Sequence, residues 1–163
     1  MDFEYKIYLT RAQNELNLSV IVQRISDDKK LQIEIFGMKE DTYYSAVISH
    51  AYYSIFYAAK AYLLLKGIKT SAPEEHRKTF EEFSKCVDTG TIDVELLKIY
   101  QNMLIKADTL LHIFGLEKDK RGKFTYRRLP QANQEPAQES IKNATVFFNN
   151  IYRLCEKLTS SSD

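Results

Sequence analysis

Tyr43-Tyr44-Ser45-Ala46-Val47-Ile48-Ser49-His50-Ala51-Tyr52-Tyr53-Ser54-Ile55-Phe56-Tyr57-Ala58-Ala59-Lys60-Ala61-Tyr62-Leu63-Leu64-Leu65-Lys66-Gly67 is the stretch that decides the fold. Val47, Ala51, Ile55, Ala58, Tyr62 and Leu65 recur at steps of three and four, which aligns them on one face of an α-helix. Ala51, Ala58 and Ala59 are small and lie on the buried side, so a neighbouring helix can approach closely. His50, Tyr53, Tyr57 and Lys60 repeat at helical spacing on the other side. The expectation is one long helix, buried on its first face and presenting an aromatic, partly polar second face to a partner. Asp41 or Thr42 is its expected N-cap and Gly67 its stop.

Outward from this helix the same period recurs. Tyr5, Tyr8, Ala12, Leu16, Ser19 and Gln23 form a stripe that predicts a first helix over 3–25, widened by Leu18, Ile21, Val22 and Ile25. Ser26-Asp27-Asp28 marks its break, and 31–36 reads as helical or irregular rather than as a strand. Ser71 and Pro73 predict the start of a third helix running to Val87. Leu97, Tyr100, Leu104, Ala107, Leu111 and Phe114 predict a fourth from Asp93, weakened at Gly115. Residues 118–136 break the pattern, and Ile141, Ala144, Phe148, Tyr152 and Cys155 carry a fifth helix from Pro136 towards a frayed tail at 160–163. The fold class is therefore all-α, an antiparallel bundle of four or five helices in one domain spanning 1–163.

Composition supports this. With 44% apolar residues the chain can bury a core, and 5 Gly with 3 Pro favour long elements over many turns. Cys86 and Cys155 are isolated, so they form neither a metal motif nor a disulfide framework. The start, Met-Asp-Phe-Glu-Tyr-Lys, carries no apolar signal run, and no stretch is apolar enough to span a membrane. A cytoplasmic protein is the expectation. No phosphate-binding glycine loop, His-Glu-x-x-His or Cys-x-x-Cys occurs, so no metal or cofactor is implied.

Ala51-Tyr52-Tyr53, the following aromatic, the paired Ala58-Ala59 and the Leu-rich end closed by Lys66-Gly67 resemble the HEPN domains, nucleotide-binding helical domains shared by higher eukaryotes and prokaryotes. The resemblance extends over helices two to five and is best over 45–67. It implies a helical bundle that often dimerises, frequently paired with a small nucleotidyltransferase in toxin–antitoxin systems. Active members are metal-independent ribonucleases that use an Arg, four to six residues, and then a His. The nearest equivalent here is Lys106-Ala107-Asp108-Thr109-Leu110-Leu111-His112, with Lys in place of Arg. An ammonium acts on phosphate as a point charge, whereas a guanidinium binds it through two parallel bonds. Lys106-Ala107-Asp108 also resembles a HEPN branch that lacks the ribonuclease signature.

Three groups of candidate residues follow. Lys98, Gln101, Ile105, Asp108 and His112 share the helix-four face opposite the apolar stripe. Asp108 lies four residues before His112, so its carboxylate can hold the imidazole for acid–base work on a ribose hydroxyl, with Lys106 on phosphate. The bland alternative is a surface Asp/His pair. Second, Lys118, Lys120, Arg121, Lys123, Arg127 and Arg128 give six cations against Asp119 in eleven residues, interleaved with Phe124 and Tyr126. Such a segment binds phosphates and stacks on unpaired bases, or it is a solvated loop pinned to the bundle by Phe124, Tyr126 and Leu129. Third, the face of His50, Tyr53, Tyr57 and Lys60 reads as a homodimer seam or nucleotide contact, or as packing beneath helix one or the segment 31–36. His50 stands where HEPN members commonly carry Arg. His76, in Pro73-Glu74-Glu75-His76-Arg77-Lys78, reads as surface.

Overall fold

A computed structural model of the chain describes residues 3–111 and 133–161. Among these it contains helices α1 (Glu4–Asp27), α2 (Tyr44–Leu65), α3 (Glu75–Asp88), α4 (Val94–Leu111) and α5 (Gln134–Ser160), with a π-helical turn at Leu31–Ile35 and no strand. The all-α expectation holds.

The helix α2 is the axis of the molecule, in contact with each of the other four. Its expected division into a buried and an offered face is corrected by the structure. Six consecutive residues, Ala58 to Leu63, are buried, and Lys60 is among them. A helix that is apolar on almost every side belongs in a core. Ala51, Ala58, Ala59 and Ala61 are fully buried, which lets the flanking helices come close to the α2 backbone. The expected cap at Asp41 or Thr42 is also corrected: the helix begins after Tyr43 without a side-chain cap. The backbone of Asp41 is bonded instead to the Gln32 amide, which donates to the Asp41 carbonyl (2.9 Å) and accepts from its N–H (2.8 Å). Gln32 is wholly buried and also donates to the Ile25 carbonyl at 2.6 Å. This one side chain thus ties the end of α1, the π-helical turn and the approach to α2.

The α1 stripe lies where the sequence puts it along Tyr5, Ala12, Leu16, Ser19 and Gln23, whereas Leu18 and Ile21 face outward. Gly67 ends α2 with φ +76, and its N–H is received by the Leu64 carbonyl at 2.9 Å. The third helix starts later than Ser71 and Pro73 suggest. Glu74 sits at φ 59, a left-handed conformation that cannot continue a helix, so α3 opens at Glu75. Asp93 does open α4: its carboxylate accepts from the Glu95 N–H at 2.8 Å. The α5 start at Gln134 puts Pro136 in the first turn. The core joins these elements through Phe83 of α3, Tyr100 and Met103 of α4, and Phe147 and Ile151 of α5, all fully buried. Phe83, Tyr100 and Phe147 meet as a triangle of rings with centroids 5.4–5.7 Å apart.

Candidate functional site

The expected catalytic trio lies along the C-terminal half of α4. Lys106 is partly exposed, and its Nζ donates to Glu139 of α5 at 2.6 Å. Asp108 is 2% exposed, which corrects its expected place on a solvent face and the reading of it as a surface Asp/His pair. The reason is rotational. Tyr100, Met103, Leu104, Ala107 and Asp108 are buried together, so the inward arc of α4 is wider than the expected stripe and includes position 108. Lys98, paired with Glu95 at 2.7 Å, and Gln101 and Ile105 are exposed as expected. His112 lies outside the described residues, as do Lys118, Lys120, Arg121, Lys123, Phe124, Tyr126, Arg127, Arg128 and Leu129.

The buried Asp108 charge is felt by Tyr52, the central tyrosine of α2. Burial pushes the Tyr52 phenol far above its ordinary range, with Tyr53 and then Asp108 adding to the shift. A phenol so held stays protonated and acts as a hydrogen-bond donor or acceptor, never as an anion. Its hydroxyl lies 2.8 Å from His76 Nδ1. The His76 ring stacks on Phe56 with centroids 4.0 Å apart and meets Tyr53 edge-on at 5.8 Å. His76 is therefore half-buried and not the surface residue that its charged neighbours suggested. Burial lowers its pKa; Glu75 acts in the opposite sense, and Lys60 lowers it further. This is the titratable contact that sequence reasoning missed. Its only local signal was the aromatic run of α2, which does not say which histidine it would receive.

The four residues of the α2 face divide among different neighbours. His50 Nδ1 is 2.6 Å from a Glu15 carboxylate oxygen of α1. Tyr57 stacks on Tyr8 of α1 at 6.0 Å and on Tyr53 at 6.3 Å, with the Arg11 guanidinium 5.5 Å above its ring. Lys60 is 5% exposed and forms an ion pair with Glu75 of α3, its ammonium 4.5 Å from the Tyr8 ring centroid. Burial opposes the charged Lys60, yet its hydrogen bonds to Glu75 and Tyr8 prevail and its pKa rises. These side chains hold α1 and α3 onto α2.

Elsewhere, an open groove of about 820 Å³ runs between α1 and α5, with Thr10, Gln13 and Asn14 on one wall and Phe148 and Glu156 on the other. Tyr152, expected in the buried α5 stripe, stands 41% exposed, and Phe147 and Ile151 take the inward positions. Among the described residues no group of three or more His, Cys, Asp or Glu side chains is arranged to hold a metal. No helix among them is long and apolar enough to cross a membrane. Cys155 is buried, and its thiol is pushed up to about 12, so it is no nucleophile.

Two comparisons bear on this arrangement. The family model for the HEPN domain matches residues 36–157, from just after the π-helical turn to the last turns of α5. A UPF0332 protein of Thermotoga maritima is 31% identical over 133 residues, which is 81% of this chain and 83% of that protein. The matched span takes in α2, α3, α4 and nearly all of α5, so it holds the Tyr52–His76 contact and both Lys106 and Asp108. The chain belongs to the HEPN domain family.

Proposed function

We propose that this HEPN protein is RNA- or nucleotide-associated and acts as a metal-independent, ribonuclease-like component of a toxin–antitoxin or defence system, working through the C-terminal half of α4. The observation that carries this reading is the burial of Asp108 four residues before His112 in sequence. A carboxylate removed from water costs several kcal/mol unless bonded partners offset it. At helical spacing such a group suits the task of fixing an imidazole and stabilising its protonated form. In this reading His112 takes the proton of a ribose 2′-hydroxyl as its oxygen attacks the adjacent phosphorus. The proton then goes to the departing 5′-oxygen. Lys106 offers its ammonium to the phosphate in competition with Glu139. Lys120, Arg121, Lys123, Arg127 and Arg128 bind the strand by charge, and Phe124 and Tyr126 stack on bases. Two such sites facing each other in a homodimer follow the family arrangement.

The test is cleavage of labelled single-stranded RNA and tRNA in chelator, comparing wild type with His112→Ala. Cutting that disappears in the variant supports the reading. Absence of cutting by either protein sinks it for those substrates.

A second reading has its own observation. Ile21 on α1 and Ile33, Ile35, Phe36 and Met38 around the π-helical turn are about half exposed or more. Exposed apolar side chains in one stretch mark interaction surfaces. A non-catalytic dimeric module that partners a small nucleotidyltransferase would use that stretch, because Tyr57 and Lys60 of the α2 face are engaged with α1 and α3. In this case His112→Ala leaves function intact and substitutions at Ile35 or Phe36 abolish it.

A further inference from the structure

The junction of α2 with the start of α3 carries a titratable contact that the proposed reaction does not use. His76 sits in the first turns of α3, with Nδ1 2.8 Å from the buried Tyr52 hydroxyl and its ring on Phe56. Among the described residues the ring makes no other hydrogen bond. The preceding residue, Glu75, carries the ion pair to Lys60. Two adjacent side chains therefore tie the opening of α3 to α2, one through a neutral bond and one through an ionic bond.

The groups around the imidazole come from four helices. Tyr52, Tyr53 and Lys60 face it from α2, and Glu75 is its neighbour on α3. From α4, the Asp108 charge and the Tyr100 ring bear on Tyr52. From α1, Glu15 acts on Tyr53, and Tyr8 lies against Lys60. An imidazolium here is opposed first by burial; Glu75 favours it and Lys60 opposes it. The protonated ring has only N–H donors: its Nδ1–H can donate to the phenol oxygen, but the Tyr52 O–H then has no acceptor in the ring. To hydrate the new charge the ring must leave the floor made by Tyr52 and Phe56. Because His76 belongs to the first turn of α3, the loss of its contacts with Tyr52 and Phe56 loosens that turn from α2.

We propose that His76 is an acid-operated latch: neutral, it clasps the first turn of α3 to Tyr52 and Phe56; protonated, it releases that turn, uncovers Tyr53 and Phe56 and parts Glu75 from Lys60. The latch is independent of His112 and of any cleavage chemistry.

Amide hydrogen exchange of residues 75–80 in the full chain tests this, between about pH 7.5 and 5.5 and corrected for the intrinsic pH dependence of exchange. In the wild type, exchange of this segment rises as pH falls, by up to about tenfold per pH unit for a single linked proton, while the centre of α2 stays protected. His76→Gln keeps a neutral acceptor for Tyr52 at both ends of the range, and its exchange is flat. An equal rise in wild type and His76→Gln assigns the effect to another group and overturns the latch. Ring signals of His76 followed by NMR in the wild type give a check that needs no variant. A midpoint below 6.5 agrees with the latch, and a midpoint at or above 6.5 overturns it.

Discussion

Lys60 shows how far a single residue's role depends on what surrounds it. In the sequence it is one cation on the aromatic side of a long helix, while in the fold it is a buried ammonium between Tyr8 and Glu75. Removing its counter-charge strands it. Glu75→Gln is expected to cost about 1–3 kcal/mol, at the lower end because the Glu75 side chain is one-third exposed. Urea unfolding should show this as a lower midpoint at unchanged slope. The double variant Lys60→Met/Glu75→Gln should recover part of the loss, because neither partner is then left charged. His76 adds a pH dependence of definite sign. Its folded pKa lies below the ordinary 6.5, so its contribution to stability is complete above pH 6.5 and is lost as pH falls towards the folded value. His76→Gln should flatten that limb of the stability profile. None of this was legible residue by residue. Periodicity assigns a face, but it cannot say that a neighbouring helix will cover that face or which of three histidines will meet Tyr52.

Among the elements, α2 was the most legible, because its small and large apolar residues leave few rotations that expose them. Its two-faced character was misread for the same reason. With Tyr, Phe and Ala on nearly every side, a partly polar stripe stands out by contrast even though Lys60 is buried and His50, Tyr53 and Tyr57 are partly covered. The α4 stripe was nearly right, but Asp108 was placed outward, since a carboxylate counts as polar in any pattern even when the fold buries it. On α5 the exposed Tyr152 masked the buried Ile151 and Phe147, whose ring meets Phe83 of α3 and Tyr100 of α4. Phe147→Ala opens a cavity in the triangle formed with Phe83 and Tyr100 and should cost about 3–5 kcal/mol, read as a large drop in Tm. Gly67→Ala meets no neighbouring atom but must adopt φ +76, so a loss of about 1 kcal/mol from backbone strain alone is expected.

At the scale of the whole molecule, the chain covers α2 thoroughly and leaves the far end of α1 and the π-helical turn with apolar side chains in water. Ile35 is 69% exposed and Ile21 55%. If these residues form the contact between two copies, Ile35→Asp with Phe36→Ser should halve the apparent mass in light scattering. The change in the unfolding of each copy should stay within about 0.5 kcal/mol, as for other exposed positions. The bundle was readable from length, period and the low Gly and Pro content, and the family from one helix. The proposed site was not readable to the same depth. Its proposed parts lie close together in sequence, between Lys106 and Arg128, but the burial that sets Asp108 apart exists only once α4 has packed. The measurement that bears most directly on the proposed function is single-turnover RNA cleavage in chelator by wild type, His112→Ala and Asp108→Asn, each with its melting curve recorded. We expect cutting by the wild type, none by His112→Ala and a rate at least tenfold lower for Asp108→Asn, in line with the roughly 10²–10⁴-fold contributions of positioned acid–base groups, with all three proteins folded. Cutting by His112→Ala at the wild-type rate would contradict the proposed function.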